Sequence, residues 1–304
     1  MKKLVIAAGT GFLGNILIEY FKDKVESIII LTRGESKVLD TIKYVHWDAK
    51  TLGDWKLEIE HADALINMAG KSVDCRYNQK NKDLILSSRV ASTKILGQAI
   101  SQAKVPPKVW LNSSTATIYR HSLDKEMNEN DGEIGSGFSV NVAVNWENTF
   151  FSCTTPHTRK VVLRTSIVLG KNGGALRPIL NLVKIGFGGK QGSGNQKFSW
   201  IHETDFARSI DFIINTPNIQ REINIVAPKP TTNSILMQTL RKILKISIGI
   251  PFSKPLLELG AIFIKTETEL ILKSRNVIPE KLQKHGFQFS YPELKPALQQ
   301  LIVK

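Results

Sequence analysis

The sequence is poor in the residues that build staples and metal centres. Its 304 residues include two cysteines, Cys75 and Cys153, far apart and outside any Cys-x-x-Cys pair. That excludes a disulfide scaffold and implies two reduced thiols in a cytoplasmic protein. The six histidines are dispersed, with no HxxxH or HExxH spacing, so no structural or catalytic zinc is expected. Long apolar runs are missing as well. Leu4 to Ala8 breaks at Gly9-Thr10-Gly11, too early for a signal-peptide core and its cleavage site. Pro255 to Ile264 is too short to span a bilayer and carries Glu258. No membrane partner is expected.

Acidic residues are also scarce: 27 Asp and Glu stand against 41 Lys and Arg, a net charge of +14. There is no basic run of five or more, and no interleaving of Arg with aromatic residues. A nucleic-acid groove is therefore not expected, and the excess reads as a lysine-rich solvated surface. What is present is ordinary for a soluble globular chain, with 42% hydrophobic and 22% charged residues. Such a chain buries a core without staples. The expected partner is a small molecule, and the expected state is a monomer or homodimer.

Leu4–Ala8 is a short apolar run before a glycine cluster, as in a buried parallel strand. Phe12–Phe21 has helical apolar spacing, and Ser27–Thr32 is the next strand, which completes a βαβ unit. The alternation continues through strands at Lys43–Trp47, Ala62–Met68, Val109–Ser114 and Lys160–Leu169. Helices are expected at Asn81–Gln102, Phe138–Phe151 and Glu203–Asn215. The glycines of Lys171–Gln196 suggest a ligand-facing loop. The expected class is α/β: a Rossmann-type doubly wound parallel sheet over residues 1–230, then a smaller, mostly helical region on the substrate side over 250–300.

Gly9-Thr10-Gly11-Phe12-Leu13-Gly14 is a GxGxxG between a strand and a helix. Such a turn brings backbone close to a pyrophosphate and aims helix N–H groups at it. The acidic residue that would hold a ribose 2′-hydroxyl at the end of the second strand is missing. That position reads Thr32-Arg33-Gly34, with Lys37 nearby. Arg33 can grip a 2′-phosphate, so NADP (NADPH) is expected as cofactor and NAD is less favoured.

The glycine turn resembles that of extended short-chain dehydrogenase/reductases, and Asn67-Met68-Ala69-Gly70 resembles their NxAG motif. Trp110 to Tyr119 resembles their fifth strand and its hydroxyl-bearing end. More narrowly, the chain resembles an atypical, sugar-epimerase-like NAD-dependent epimerase/dehydratase family with a C-terminal domain of unknown function. The segments that carry this include Ser88 to Thr93, Trp146-Glu147, Leu163 to Gly170, Gly173 to Leu176, Gly192 to Gln196, Ser199 to His202, Asn224 to Pro230 and Val277 to Phe289.

The resemblance implies that Gly9 and Thr10 through Leu13 wrap the pyrophosphate and that Arg33 meets the adenosine phosphate. It implies Asp48 near the adenine, and Asn67, Met68, Ala69 and Gly70 along the ribose and nicotinamide side. It also implies Arg89 and Ser113 facing the cofactor cleft. Ser114, Trp200 and His202 are expected to line the substrate side. Two departures stand out. Ala8 replaces the first glycine, and its methyl group fits if φ is negative. More consequentially, the Tyr-x-x-x-Lys pair that moves a proton during hydride transfer is absent. With Glu147 as the anchor, Ser139 and Ala143 fall at those places. Thr115 is then the candidate to polarise a substrate carbonyl, and Tyr119 is the nearby candidate proton donor. These features imply an NADP-dependent epimerase or reductase of a sugar nucleotide or small carbonyl compound. The alternative is a non-catalytic NADP(H)-binding sensor or scaffold.

Overall fold

A computed structural model describes residues 1–253 and 272–303. Part of the expected C-terminal region, including the run Pro255 to Ile264, lies outside the described residues.

The chain begins with β1 (Lys3–Ala7), α1 (Phe12–Phe21) and β2 (Ser27–Thr32), then β3 (Lys37–Leu39), β4 (Ile42–His46) and β5 (Ala64–Asn67). Next come α2 (Gln79–Gln102), β6 (Val109–Thr115), α3 (Phe138–Ser152) and β7 (Arg159–Thr165). A second group follows: β8 (Ile167–Gly170), β9 (Gly173–Gly174), α4 (Leu176–Lys184), β10 (Lys197–Phe198), β11 (Trp200–His202) and α5 (Glu203–Asn215). The described remainder holds β12 (Arg221–Ile225), β13 (Thr231–Thr232), α6 (Asn233–Leu244), α7 (Glu280–Lys284) and α8 (Leu294–Ile302).

The main sheet has the order β12-β7-β6-β5-β1-β2-β4-β3. Every pairing in it is parallel except β3 with β4. The order reverses at β1, which lies between β2 and β5. The carboxyl ends of its strands open a crevice there, where α/β sheets bind ligands.

Period-two alternation explains why the central strands are apolar throughout. Leu4 and Ile6 of β1, with Ile28 and Ile30 of β2, face one core, under Leu17 and Phe21 of α1 and Phe206 and Ile210 of α5. Val5, Ala7, Ile29 and Leu31 face the other, under Ile95, Leu96 and Ala99 of α2 and Phe150 of α3. Burying each such Leu, Ile or Phe stabilises the fold by roughly 1.5–3 kcal/mol. A third cluster, centred on Leu169, Trp200, Leu236, Leu240 and Leu298, packs α4, α6 and α8 around the small sheet β11-β8-β9.

Two expected elements are corrected. Lys160–Leu169 is not one strand. The chain leaves the main sheet at Ser166, whose N–H bonds the Ile225 carbonyl, and β8 then pairs with β11. Lys171–Gln196 is not one ligand-facing loop either. It contains the nine-residue α4, and its first glycines form the β8–β9 hairpin. A Cβ at Gly173 would sit 2.6 Å from the ring of Phe12, so these glycines serve packing against the start of α1. No helix of the described residues is long and apolar enough to cross a membrane.

Candidate cofactor and substrate cleft

The turn after β1 is built for close approach. A Cβ at Gly9 would lie 2.9 Å from the Ile6 side chain, and one at Gly14 would overlap the Gly9 carbonyl. These glycines let α1 start directly on the strand. Gly11 differs: nothing lies within 4 Å of a Cβ placed there. Thr10 and Gly11 are exposed, and Phe12 and Leu13 half-buried, at the mouth of the crevice. The first turn of α1 has no side-chain cap and no acidic residue, so its N–H groups face that space with the positive end of the helix dipole. Ala8 overturns the expectation of a negative φ. It adopts +59°, in the left-handed region, and its N–H bonds Leu31 O at 2.7 Å.

The strands on either side of β1 bring cations. Arg33 follows β2, is exposed, and makes no hydrogen bond or ion pair with the described residues. Lys37 is in β3 instead, with its ammonium 5.4 Å from the Tyr44 ring. On the other side, Arg89 of α2 lies beneath the turn that follows β5. Its guanidinium donates to the carbonyls of Lys71 (3.1 Å) and Ile85 (2.9 Å) and sits over the Trp146 ring. It has no ion pair among the described residues, and burial pushes its pKa down to about 10.

Asn67 to Gly70 form the turn after β5. Asn67 is fully buried and its side chain holds the turn from inside. Its Oδ1 accepts from Ala69 N, and its Nδ2 donates to Asn112 and Thr93. This corrects its expected role as a lining side chain. Met68 and Ser113 meet at the ends of β5 and β6, with Ser113 Oγ 3.1 Å from the Met68 sulfur. Asp48 is exposed after β4 and closes its own turn. It accepts from the N–H groups of Thr51 and Lys50, which hold its pKa down to about 2.

At the end of β6, Thr115 is half-buried. Its Oγ1 accepts from Thr117 N at 3.1 Å, which leaves the hydroxyl hydrogen available. The other expected residues of this side are corrected. Tyr119 is 2% exposed, donates to Asn224 Oδ1 (3.0 Å) and accepts from Arg164 (3.0 Å). Burial pushes its phenol up, with Arg164 pulling the other way. Ser114 is buried and donates to Glu147 at 2.6 Å. Trp200 and His202 are fully buried. His202 caps α5: its Nδ1 accepts from Thr204 N, and Nε2 lies 2.9 Å from Gln300 Oε1. Burial depresses its pKa, and the same burial leaves the ring no surface for a substrate contact.

One arrangement was legible only as a charge inside an apolar strand. Arg164 of β7 bonds both carboxylate oxygens of Glu147, at 3.0 and 2.8 Å, with both side chains buried. Burial opposes the Arg164 charge, but the bonds to Glu147 hold its pKa above the ordinary value. The pair lies one turn along α3 from Ala143, whose methyl group is fully buried in an apolar cluster with Tyr119. Sequence reasoning also missed Lys273 and Arg275. They donate to the carbonyl (2.8 Å) and hydroxyl (3.0 Å) of Thr117, tying the C-terminal region to the turn that carries Thr115.

With this geometry in view, residues 4–226 match the profile of the NAD dependent epimerase/dehydratase family. The chain belongs to that family. Residues 254–301 match a domain of unknown function, DUF1731. An epimerase family protein of Staphylococcus haemolyticus is 32% identical over 99% of both chains. The human epimerase family protein SDR39U1 is 29% identical over 99% of both. The crystal structure of human SDR39U1 with NADPH superposes with a TM-score of 0.87 at 29% identity, covering 98% of each chain. A UDP-N-acetylglucosamine 4-epimerase from Bacillus cereus shares the fold at 18% identity, with a TM-score of 0.75 and coverage of 99% of this chain and 95% of that one. The Rossmann-type sheet of this epimerase family member is thus that of its relatives.

Proposed function

We propose that this epimerase family member binds NADP(H) in the crevice at β1 and acts on a sugar nucleotide or small carbonyl compound without the usual Tyr/Lys pair. The observation that carries the reading is the charge pattern around the glycine turn. An uncapped helix start faces open space at Gly11, with Arg33 on one side and Arg89 on the other, neither with a carboxylate partner among the described residues. This is a cradle for a multiply anionic dinucleotide. Gly9 through Leu13 would hold the pyrophosphate, Arg33 a 2′-phosphate, and Met68 through Gly70 with Ser113 the nicotinamide side. The bound dinucleotide would supply a hydride donor or acceptor. Human SDR39U1, crystallised with NADPH, supports the choice.

On the substrate side Thr115 offers a hydrogen-bond donor to a carbonyl oxygen, which polarises it without giving up a proton. That half of the site contains no accessible acid or base among Ser139, Ala143, Tyr119 and His202. The same fact favours a second reading, an NADP(H)-binding sensor or scaffold that needs the cradle alone.

NADPH fluorescence with purified protein tests both readings. Binding is expected, and loss of the bound signal on adding a panel of sugar nucleotides and small carbonyl compounds, abolished in Thr115→Ala, would establish turnover. Tight binding with no turnover on any compound would move the conclusion to the sensor, and failure to bind NADPH would overturn both.

A further inference from the structure

The turn after β2 is tied to the neighbouring strand through one histidine. In the parallel β2–β4 register Thr32 lies opposite His46, which places His46 beside the residue preceding Arg33. Two bonds fix it to the turn: His46 N–H donates to Ser36 Oγ at 2.9 Å, and His46 Nδ1 lies 3.0 Å from the Gly34 carbonyl oxygen. A carbonyl oxygen only accepts, so Nδ1 carries the hydrogen and Nε2 is the open ring atom. Ser36 Oγ receives the His46 N–H, and its own hydrogen has no acceptor among the described residues. Gly34 N–H in turn bonds Thr32 Oγ1 at 3.2 Å, closing the turn on itself. All of Arg33, Ser36 and His46 are exposed at this corner.

We propose that Ser36 and His46 complete, with Arg33, a three-point site for the 2′-phosphate of NADP(H). This deepens the NADP(H) reading above and rests on it. Arg33 supplies the permanent charge. Ser36 donates its free O–H, and the His46 ring turns Nε2 to a phosphate oxygen, with which it shares a proton. The bond from Nδ1 to Gly34 aims the ring, so His46 both shapes the turn and reads its ligand. Charge-assisted bonds to a phosphate are the strong class, and the tie to β4 pre-orders the turn before the ligand arrives.

Isothermal titration of the full chain with NADPH and with NADH tests this, because NADH lacks only the 2′-phosphate. The variants are Arg33→Ala, Ser36→Ala and His46→Asn. Asparagine keeps a donor toward Gly34 O but loses the Nε2 position, so the turn survives. Wild type is expected to prefer NADPH. His46→Asn should weaken NADPH about tenfold and Ser36→Ala about threefold, with NADH unchanged, as lost bonds to the phosphate from an imidazole and from a hydroxyl respectively. If both variants keep the wild-type NADPH to NADH ratio while Arg33→Ala collapses it, the three-point site is wrong and the NADP(H) reading stands. An equal loss for both nucleotides would likewise overturn it, since His46 would then serve only the turn. A wild type that binds NADH as tightly as NADPH would overturn the NADP preference itself.

Discussion

The two ends of the crevice solve the problem of charge in opposite ways. Beside β1, Arg33 and Arg89 have no carboxylate partner among the described residues: Arg33 is exposed, and Arg89 donates to two carbonyls and lies over a tryptophan ring. Around β6 and α3 the charges are closed on themselves, with Glu147 held by Arg164 and Ser114, and Tyr119 held by Arg164 and Asn224. An open charge is available to a ligand, and a closed one stabilises the fold only through its partner. The contrast separates a half whose charges are open from a half that is mostly architecture, where Thr115 keeps its hydroxyl hydrogen.

The largest expected effect comes from breaking the closed half. Glu147→Gln leaves a buried guanidinium without its counter-charge and should cost about 3–5 kcal/mol of stability, read by denaturant unfolding. The double change Glu147→Leu with Arg164→Met should recover much of that loss, because no buried charge remains uncompensated. If the single change proves neutral, the pair is not the lock described.

The glycine turn sharpens the comparison from the other side. Gly14→Ala drives a methyl group into the Gly9 carbonyl and should destabilise the chain by roughly 1–3 kcal/mol, seen as a lowered melting temperature. Gly11→Ala has open space around it within the protein. It should leave the melting temperature unchanged and weaken NADPH binding, because the space is reserved for ligand. Equal behaviour of the two variants would erase the distinction.

Ala8 gives a smaller effect of opposite sign. At φ +59° its Cβ is strained, and Ala8→Gly should raise stability by about 1 kcal/mol. Unchanged stability would mean that the strain is absorbed elsewhere. The smallest effect is that of Asp48. Its pKa, lowered to about 2 from an ordinary 3.8, means that its contribution is complete above pH 3.8 and is lost as pH falls toward 2. The group is exposed, so the change is slight. It should be visible as a shallower acid limb of the stability curve in Asp48→Ala.

Local pattern carried much of this far. The apolar runs of β1, β2 and β5 announce strands buried on both faces, and the spacing from Phe12 to Phe21 announces α1, because these signals lie within one element. Glu203–Asn215 emerged as α5 with the same bounds. The glycines of 171–196 misled because a glycine needed to accommodate the ring of Phe12 and one needed to admit a ligand look alike in a string of letters. Tyr119, His202 and Trp200 misled for a related reason. A polar side chain near a predicted site has no visible depth, and depth is set by elements far away in sequence, such as Asn224 for Tyr119 and Gln300 for His202.

The sequence by itself determined the parallel α/β architecture, the glycine turn with Arg33 at the neighbouring strand end, and the absence of a Tyr/Lys pair on α3. All of these follow from short-range periodicity or from residue identity at a known spacing. Only the tertiary structure decided which charges are open and which are closed, that Ala8 is held in a left-handed conformation, and that His46 stands beside Thr32. Those depend on strand register and on burial, which are properties of the assembled sheet and of no single segment.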